Sequence, residues 1–252
     1  MILKKRAEEL EKMRRAGRVV GETLQILQEA VRPGVTTAEL DEIAEREIRA
    51  RGAVPSFKGY RGFPASICTS LNDEVVHGIP AKRRIREGDI LKLDVGAIWE
   101  GYHGDSAVSV FVGSAPSDVA EKLIRVTEES LTAGISMLRA GNRLYDVGHA
   151  VQQVVEGAGF AVVREYVGHG VGRALHEDPQ VPNYGDPDRG PEIRPGLVVA
   201  IEPMVNVGDW RTRVLTDGWT VVTADGTLSA HFEHTIAVTE DGPEVLTTRQ
   251  SV

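Results

Sequence analysis

The sequence predicts an α+β fold built from two helix-and-hairpin halves related by a pseudo-twofold axis, and three observations carry that expectation. Stretches of helical period are followed by strand-like runs, and from about Pro116 the pattern starts again. The restart is literal: "RPGVTTAELDEIAEREIRARG" at 32–52 aligns without gaps on "RAGNRLYDVGHAVQQVVEGAG" at 139–159, and "REGDILKLD" at 86–94 aligns on "RPGLVVAIE" at 194–202. Finally, the repeat pairs acids with acids. Asp94 falls opposite Glu202, and laying "HGDSAVSV" at 103–110 over "HFEHTIAV" at 231–238 puts Asp105 opposite Glu233. A repeat this long is not a solenoid; two halves sharing one sheet are the simplest architecture that fits it. Length alone suits one large domain or two small ones, and the restart divides the chain into halves of about 1–115 and 116–252.

Each element follows from local pattern. Leu10, Met13, Ala16, Val20, Leu24 and Leu27 recur at helical spacing, and "RPGVT" ends that helix with proline and glycine. Thr37 is placed to cap a second helix with Leu40, Ile43, Ala44 and Ile48 on one face and Gly52 as its stop. The runs "DILKLDVGAIW" and "DSAVSVFVG" read as strands. A hairpin turning near Trp99 to Gly101 through a loop of even length points Asp94 and Asp105 to one face, with Cβ atoms within about 5 to 8 Å. Like charges so placed on a half-buried sheet raise at least one pKa, so a positive group is expected between them. The same arrangement at Glu202 and Glu233 brings four carboxylates toward the axis between the halves.

Composition sets the outer limits. With 41% hydrophobic and 26% charged residues, and no apolar run near the roughly 18 residues of a membrane span, a membrane protein is not expected. The start, "MILKKRAEELEKMRRAG", lacks the apolar core of a signal peptide, so a cytoplasmic location is expected. The one cysteine, Cys68, rules out an internal disulfide and a cysteine-rich zinc site. The net charge of -8 disfavours nucleic acid as a partner. The run "KRRIR" at 82–86 is the local exception, read as a solvated turn, with a docking patch for an anionic partner as the alternative.

The stretch "EYVGHGVGRALHEDP" at 165–179 sets His169 and His176 among glycines. Four carboxylates and His169 form a hard, oxygen-dominated donor set suited to two divalent ions such as manganese, cobalt or iron, whose charge four acids balance. Acids reaching both ions would hold them about 3.5 to 4 Å apart, with a bridging water acidified into a hydroxide nucleophile. "GHGVG" lacks the G-x-G-x-x-G spacing of a nucleotide site, and "HEDPQ" is not the H-E-x-x-H of a zinc helix.

At these residues a family resemblance enters. "SFKGYRGFPASICTSLNDEVVHGIP", "LDVGAIWEGYHGDSAV", "EYVGHGVGRALHEDPQVPNY", "PGLVVAIEPMV" and "DGWTVVTADGTLSAHFEHTIAVT" resemble the signature segments of type I methionine aminopeptidases, and the likeness runs from about residue 8 to 247. The resemblance implies the pita-bread fold, two pseudo-symmetric helix and strand halves around a curved antiparallel sheet, and so a single domain over 1–252. It implies metal-dependent removal of the initiator methionine from nascent proteins and peptides, favoured when the second residue is small, with two divalent ions per chain drawn from cobalt, manganese, iron and zinc.

By motif, Asp94 resembles a ligand of one ion, Asp105 and Glu233 ligands of both, and His169 and Glu202 ligands of the other. The substrate's free amino terminus would bind near the ion held by Asp94, and Glu202 is the expected proton carrier. His77 and His176 resemble the histidines that hydrogen-bond the substrate and stabilise the tetrahedral intermediate. Tyr60, Phe63, Cys68 and Trp219 match the methionine side-chain pocket. This chain departs from the common pattern at Leu175, where the family often has phenylalanine, and at Val76, where some members have cysteine. It reads as the short bacterial form, without the N-terminal extension of eukaryotic relatives or the insertion of type II enzymes. A monomer acting on nascent chains is expected, and "KRRIR" with Lys4, Lys5 and Arg6 could touch ribosomal RNA in a transient contact. Aminopeptidase P and prolidase, and a non-enzymatic binding module of the same fold, are the competing readings.

Overall fold

Two helices open each half and lie against antiparallel strands. In the computed structural model, which describes residues 2–249, Met1 and residues 250–252 at the ends of the expected 1–252 domain lie outside the described residues. Helix α1 (Ala7–Ala30) buries Met13, Ala16, Val20, Leu24 and Leu27, the predicted face. Helix α2 (Thr37–Ala50) buries Leu40, Ala44 and Ile48. Its N-cap is Thr36 rather than the predicted Thr37. The Thr36 hydroxyl accepts from the Glu39 amide at 3.2 Å while the Glu39 carboxylate accepts from the Thr36 amide at 2.7 Å, a capping box. Thr37 is buried instead, its hydroxyl donating to the Ala81 carbonyl at 3.0 Å. The restart yields α3 (Asp118–Met137) and α4 (Leu144–Gly157).

The first half's strands form the predicted hairpin. Ile90–Trp99 pairs along its length with Tyr102–Phe111, and Val54–Pro55 and Ile67–Leu71 pair with Ile90–Trp99 as well. The two-residue turn needs left-handed backbone at both positions, supplied by Glu100 (φ 46°) and Gly101 (φ 79°), a twist that matches the strands it joins. In the second half, Val198–Ile201 pairs antiparallel with His234–Thr239 and with Gly168–Gly170. Those two long-range partners are not joined tightly. Between Ile201 and His234 the chain runs out through four short strands, Met204–Asn206, Thr212–Val214, Val221–Thr223 and Ser229–His231.

The halves meet along a seam of main-chain and hydroxyl bonds. Ala107 and Glu233 exchange hydrogen bonds, N to O at 3.3 Å and 3.0 Å. The Asp105 amide donates to Thr235 Oγ1 at 2.9 Å, that hydroxyl donates to the Asp105 carbonyl at 2.7 Å, and Ser106 Oγ donates to the Glu233 carbonyl at 2.5 Å. One hydrophobic core draws on both halves, with Leu24, Leu40 and Leu93 packed among the same buried residues as Leu131, Val147, Val199 and Ile236. Among the described residues no helix is long and apolar enough to cross a membrane.

Two basic segments resolve differently. In "KRRIR" only Ile85 is buried, and the flanking cations are exposed, with Arg83 paired to Glu74 and Arg84 donating to the Gly34 carbonyl. Near the start of the chain Lys4 and Arg6 are exposed, but Lys5 is buried against Glu177 at 2.7 Å. Lys5 is therefore withdrawn from any surface contact of the kind expected of it.

Candidate active site

The predicted acids converge because of strand register. On the hairpin, Asp94 faces Ala107 and Asp105 faces Gly96, which makes the two aspartates diagonal neighbours on one face. Ala107 is also the residue that bonds Glu233 across the seam, so the second half's acid arrives beside the first half's pair. Glu202 follows Val198–Ile201 directly, and the Ile201–His234 register sets it across from Glu233.

His169 enters from the middle of Gly168–Gly170, paired with Ala200. A Cβ on Gly168 would sit 2.3 Å from the Ala200 carbonyl oxygen, and one on Gly170 would sit 2.2 Å from that of Asp178. Only glycine lets the backbone approach this closely. The imidazole Nδ1 lies 2.9 Å from the Gly170 carbonyl, which fixes the proton on that nitrogen and leaves Nε2 as a lone-pair donor. Nε2 points at the acids, 3.6 Å from Glu202 Oε1 and 3.9 Å from Asp105 Oδ2. Donor atoms of Asp105, His169 and Glu233 all lie within 4.8 Å of one another.

The electrostatics of this cluster ask for a cation. Burial pushes the Asp94 carboxyl up to about 7. Burial, and then the neighbouring carboxylates, hold Asp105, Glu202 and Glu233 well above the usual range. Burial and then His176 lower His169 to about 3, so its ring is neutral and fit to bind metal. Asp94 Oδ1 and Asp105 Oδ1 are buried with no hydrogen-bond partner. Orphaned carboxylate oxygens cost free energy unless something positive meets them, and a hard divalent ion matches this donor set.

A cavity of about 160 Å³ opens onto the acids, and its walls include every other predicted site residue: Tyr60, Phe63, Cys68, His77, His176 and Trp219. His176 sits at the exposed mouth, its ring centroid 4.0 Å from that of His169, with the Tyr60 hydroxyl 3.0 Å from its Nδ1. Phe63 meets Trp219 edge to face at 5.1 Å. His77 stands between Tyr166 and Trp219, burial lowering its pKa to about 4, on left-handed backbone at φ 60°. Strain of that kind in a non-glycine residue collects at functional sites. Cys68 is in register with Asp94, and burial, with the nearby acids, raises its thiol pKa, so it serves as an apolar wall rather than a nucleophile.

Several residues escaped the sequence reading. Phe57 and Arg61 also line the cavity; Leu175, already singled out in the sequence, contributes its buried side chain to the apolar end. Phe57 had a signal, since it stands in the same aromatic- and glycine-rich segment as Tyr60 and Phe63. His231 had none: it is buried, its Nε2 lacks a partner, and it lies 4.0 Å from Glu233 Oε2.

The chain as a whole is similar to known proteins. The chain is 56% identical over 247 residues to methionine aminopeptidase 1 of Bacillus subtilis, covering 98% of this chain and 99% of that one. Its fold superimposes on the crystal structure of a methionine aminopeptidase from Thermotoga maritima with a TM-score of 0.97 at 48% identity, over 99% and 100% of the two chains. A prolidase from Pyrococcus furiosus shares the fold alone, with a TM-score of 0.80 at 20% identity over 98% of this chain and 66% of that one. Residues 11–240, which hold all the acids and histidines described above, match metallopeptidase family M24. Matched in sequence and in fold over nearly its whole length, the chain belongs to metallopeptidase family M24, in its methionine aminopeptidase branch.

Proposed function

We propose that this chain is a cytoplasmic monomer, folded as a single domain, that hydrolyses the N-terminal methionine from nascent proteins and peptides when the second residue is small. The observation that carries this reading is the convergence of buried, mutually raised carboxylates and neutral His169 at the inner end of an apolar cavity. Asp94, Asp105, His169, Glu202 and Glu233 would hold two divalent ions, which when bound polarise a carbonyl and acidify a water. Which of cobalt, manganese, iron or zinc fills the site depends on availability.

The chain's own residues then do the rest. The methionine side chain lies between Tyr60, Phe63, Cys68 and Trp219, a surface suited to a polarisable thioether. With the Tyr60 hydroxyl donating to His176 Nδ1, the neutral ring carries its proton on Nε2, free to donate to the substrate carbonyl as charge develops there. His77, kept neutral by burial, serves the peptide nitrogen. Glu202, whose carboxyl burial holds above its usual range, accepts a proton from water and passes it to the leaving amine. The unblocked α-amine is taken up beside Asp94, which makes the reaction strictly exopeptidic.

The test is amino-acid release from Met-Ala-Ser, Leu-Ala-Ser, Met-Trp-Ser and N-acetyl-Met-Ala-Ser by chelator-stripped protein with and without manganese or cobalt. Release of methionine from the first peptide, far faster than any release from the others and only with metal, is expected. No release from any of them under manganese or cobalt would overturn the assignment. A transient ribosome contact through exposed Lys82, Arg84, Arg86, Lys4 and Arg6 is a further part of the proposal. Unchanged co-sedimentation with ribosomes after neutralising them would remove it.

A further inference from the structure

The loop that carries His176 is gripped from a distant part of the chain. Lys5 Nζ reaches Glu177 Oε2 at 2.7 Å, with only 5% and 9% of the two side chains exposed. The Lys5 amide donates to the Gly196 carbonyl at 2.7 Å, which fixes the lysine's own backbone to the second half. The other oxygen of Glu177 accepts from the Ala174 amide at 3.2 Å. The same carboxylate lies against Gly172, where a Cβ would come within 2.4 Å of Oε1. Gly172 in turn donates to the Ala174 carbonyl at 3.1 Å and accepts from the His103 amide at 2.9 Å. The segment from Gly172 to His176 is therefore wrapped around one carboxylate whose only ion-pair partner among the described residues is Lys5.

We infer that Lys5 is a positioning residue, which sets the place of His176 and Leu175 by neutralising Glu177 beneath their loop. This rests on the reading of His176 as a substrate-contacting group. Removing one partner of a buried pair leaves an uncompensated charge, and the surroundings move to hydrate it. Here the loop is what can move: Arg173, Ala174 and His176 are exposed, whereas the strand beneath His169 is locked at Ala200. A displacement of about 1 Å at a group acting on the reacting carbonyl lowers turnover by as much as about 100-fold.

The experiment compares full-length, manganese-loaded wild type with Lys5→Met, Lys5→Arg, Glu177→Gln and the Lys5→Met/Glu177→Gln double variant on Met-Ala-Ser. It adds manganese affinity by calorimetry and amide exchange over residues 171–177. Lys5→Met is expected to lose about tenfold or more in kcat with manganese affinity unchanged and faster exchange in the loop. Lys5→Arg should restore most of the loss, and the double variant should be no worse than Lys5→Met alone.

Wild-type kcat in Lys5→Met, or manganese affinity falling in step with kcat, overturns the inference. Should Lys5→Met not fold, Glu177→Gln decides the matter, since wild-type kcat and loop exchange there have the same force. If wild type itself releases nothing, the proposed function fails, yet loop exchange still reads the clamp: unchanged exchange in Lys5→Met refutes it independently.

Discussion

Neutralising one acid of the cluster should stabilise the metal-free protein while destroying its response to metal. Asp105→Asn is the cleanest perturbation, because Asp105 is 4% exposed, lies on the hairpin that both halves grip, and has an oxygen with no partner. Donor oxygens of Asp105 and Glu233 lie within 4.8 Å. At an effective dielectric of about 20, two full charges at that distance repel by about 3.5 kcal/mol. A proton held by the cluster already relieves part of this, so a net gain of about 1 to 2 kcal/mol is expected from an amide that can donate to the neighbouring carboxylates. For a chain of this size that is a rise of about 2 to 8 °C in Tm.

Wild type with manganese at about 100 times its Kd should gain about 2.7 kcal/mol, and the variant less than half of that. Differential scanning fluorimetry at pH 7.5, with chelator and then with manganese, reads both shifts. A metal-free Asp105→Asn that melts below wild type, or an equal manganese shift in the two proteins, would refute the idea that charge repulsion awaits a cation here.

Three further outcomes are expected. Gly168→Ala should cost upwards of about 3 kcal/mol, since the new methyl would stand 2.3 Å from the Ala200 carbonyl oxygen with rigid strand on both sides; a thermal melt within a degree of wild type would contradict this. Trp219→Ala opens one wall of the cavity proposed to take the methionine side chain and removes the edge contact to Phe63, so the preference for Met-Ala-Ser over Leu-Ala-Ser should fall by about tenfold, and an unchanged kcat/KM ratio would exclude Trp219 from selectivity. Glu45 is held down from 4.5 to about 2, chiefly by Lys58 with Arg49 and Ser66 assisting, so its stabilising contribution is complete above pH 4.5 and is lost as pH falls through about 2. The Tm gap between wild type and Glu45→Gln should therefore close from pH 5 to pH 2.5; a constant gap would mean that Glu45 acts by packing alone.

How much of this could be read in advance depended on whether the determining contacts were local. The face of α1 follows from 3.6-residue spacing, and Asp94 with Asp105 follows from a two-residue turn and strict alternation, so both were legible. The choice of Thr36 over Thr37 as cap was not. The two threonines are equivalent locally, and what decides between them is a hydroxyl bond from Thr37 to Ala81, far along the chain. The repeat placed Glu202 and Glu233 near the axis, but not the Ala107–Glu233 bonds that bring the pairs together, because register between strands from different halves leaves no periodic trace. Lys5 looked like a surface cation by composition, and its burial arises only because Glu177 waits in a loop that the first residues cross. His231 stayed silent for the same reason: one histidine at the end of a short, wholly buried strand carries no sign of which acid it will face.

The seam between the halves also governs how the protein must be made. Ser106 finds its partner carbonyl 127 residues further on, at Glu233. During synthesis at about 5 to 20 residues per second, the outer edge of Tyr102–Phe111 waits roughly 6 to 25 s for the strand that covers it. Through that interval the nascent chain presents an unpaired, mostly buried-type strand edge bearing an acidic residue, Asp105, whose charge discourages pairing with a neighbour on the same polysome. The residue that ends among the buried acids thus doubles, in the unfinished chain, as a guard against the wrong partner.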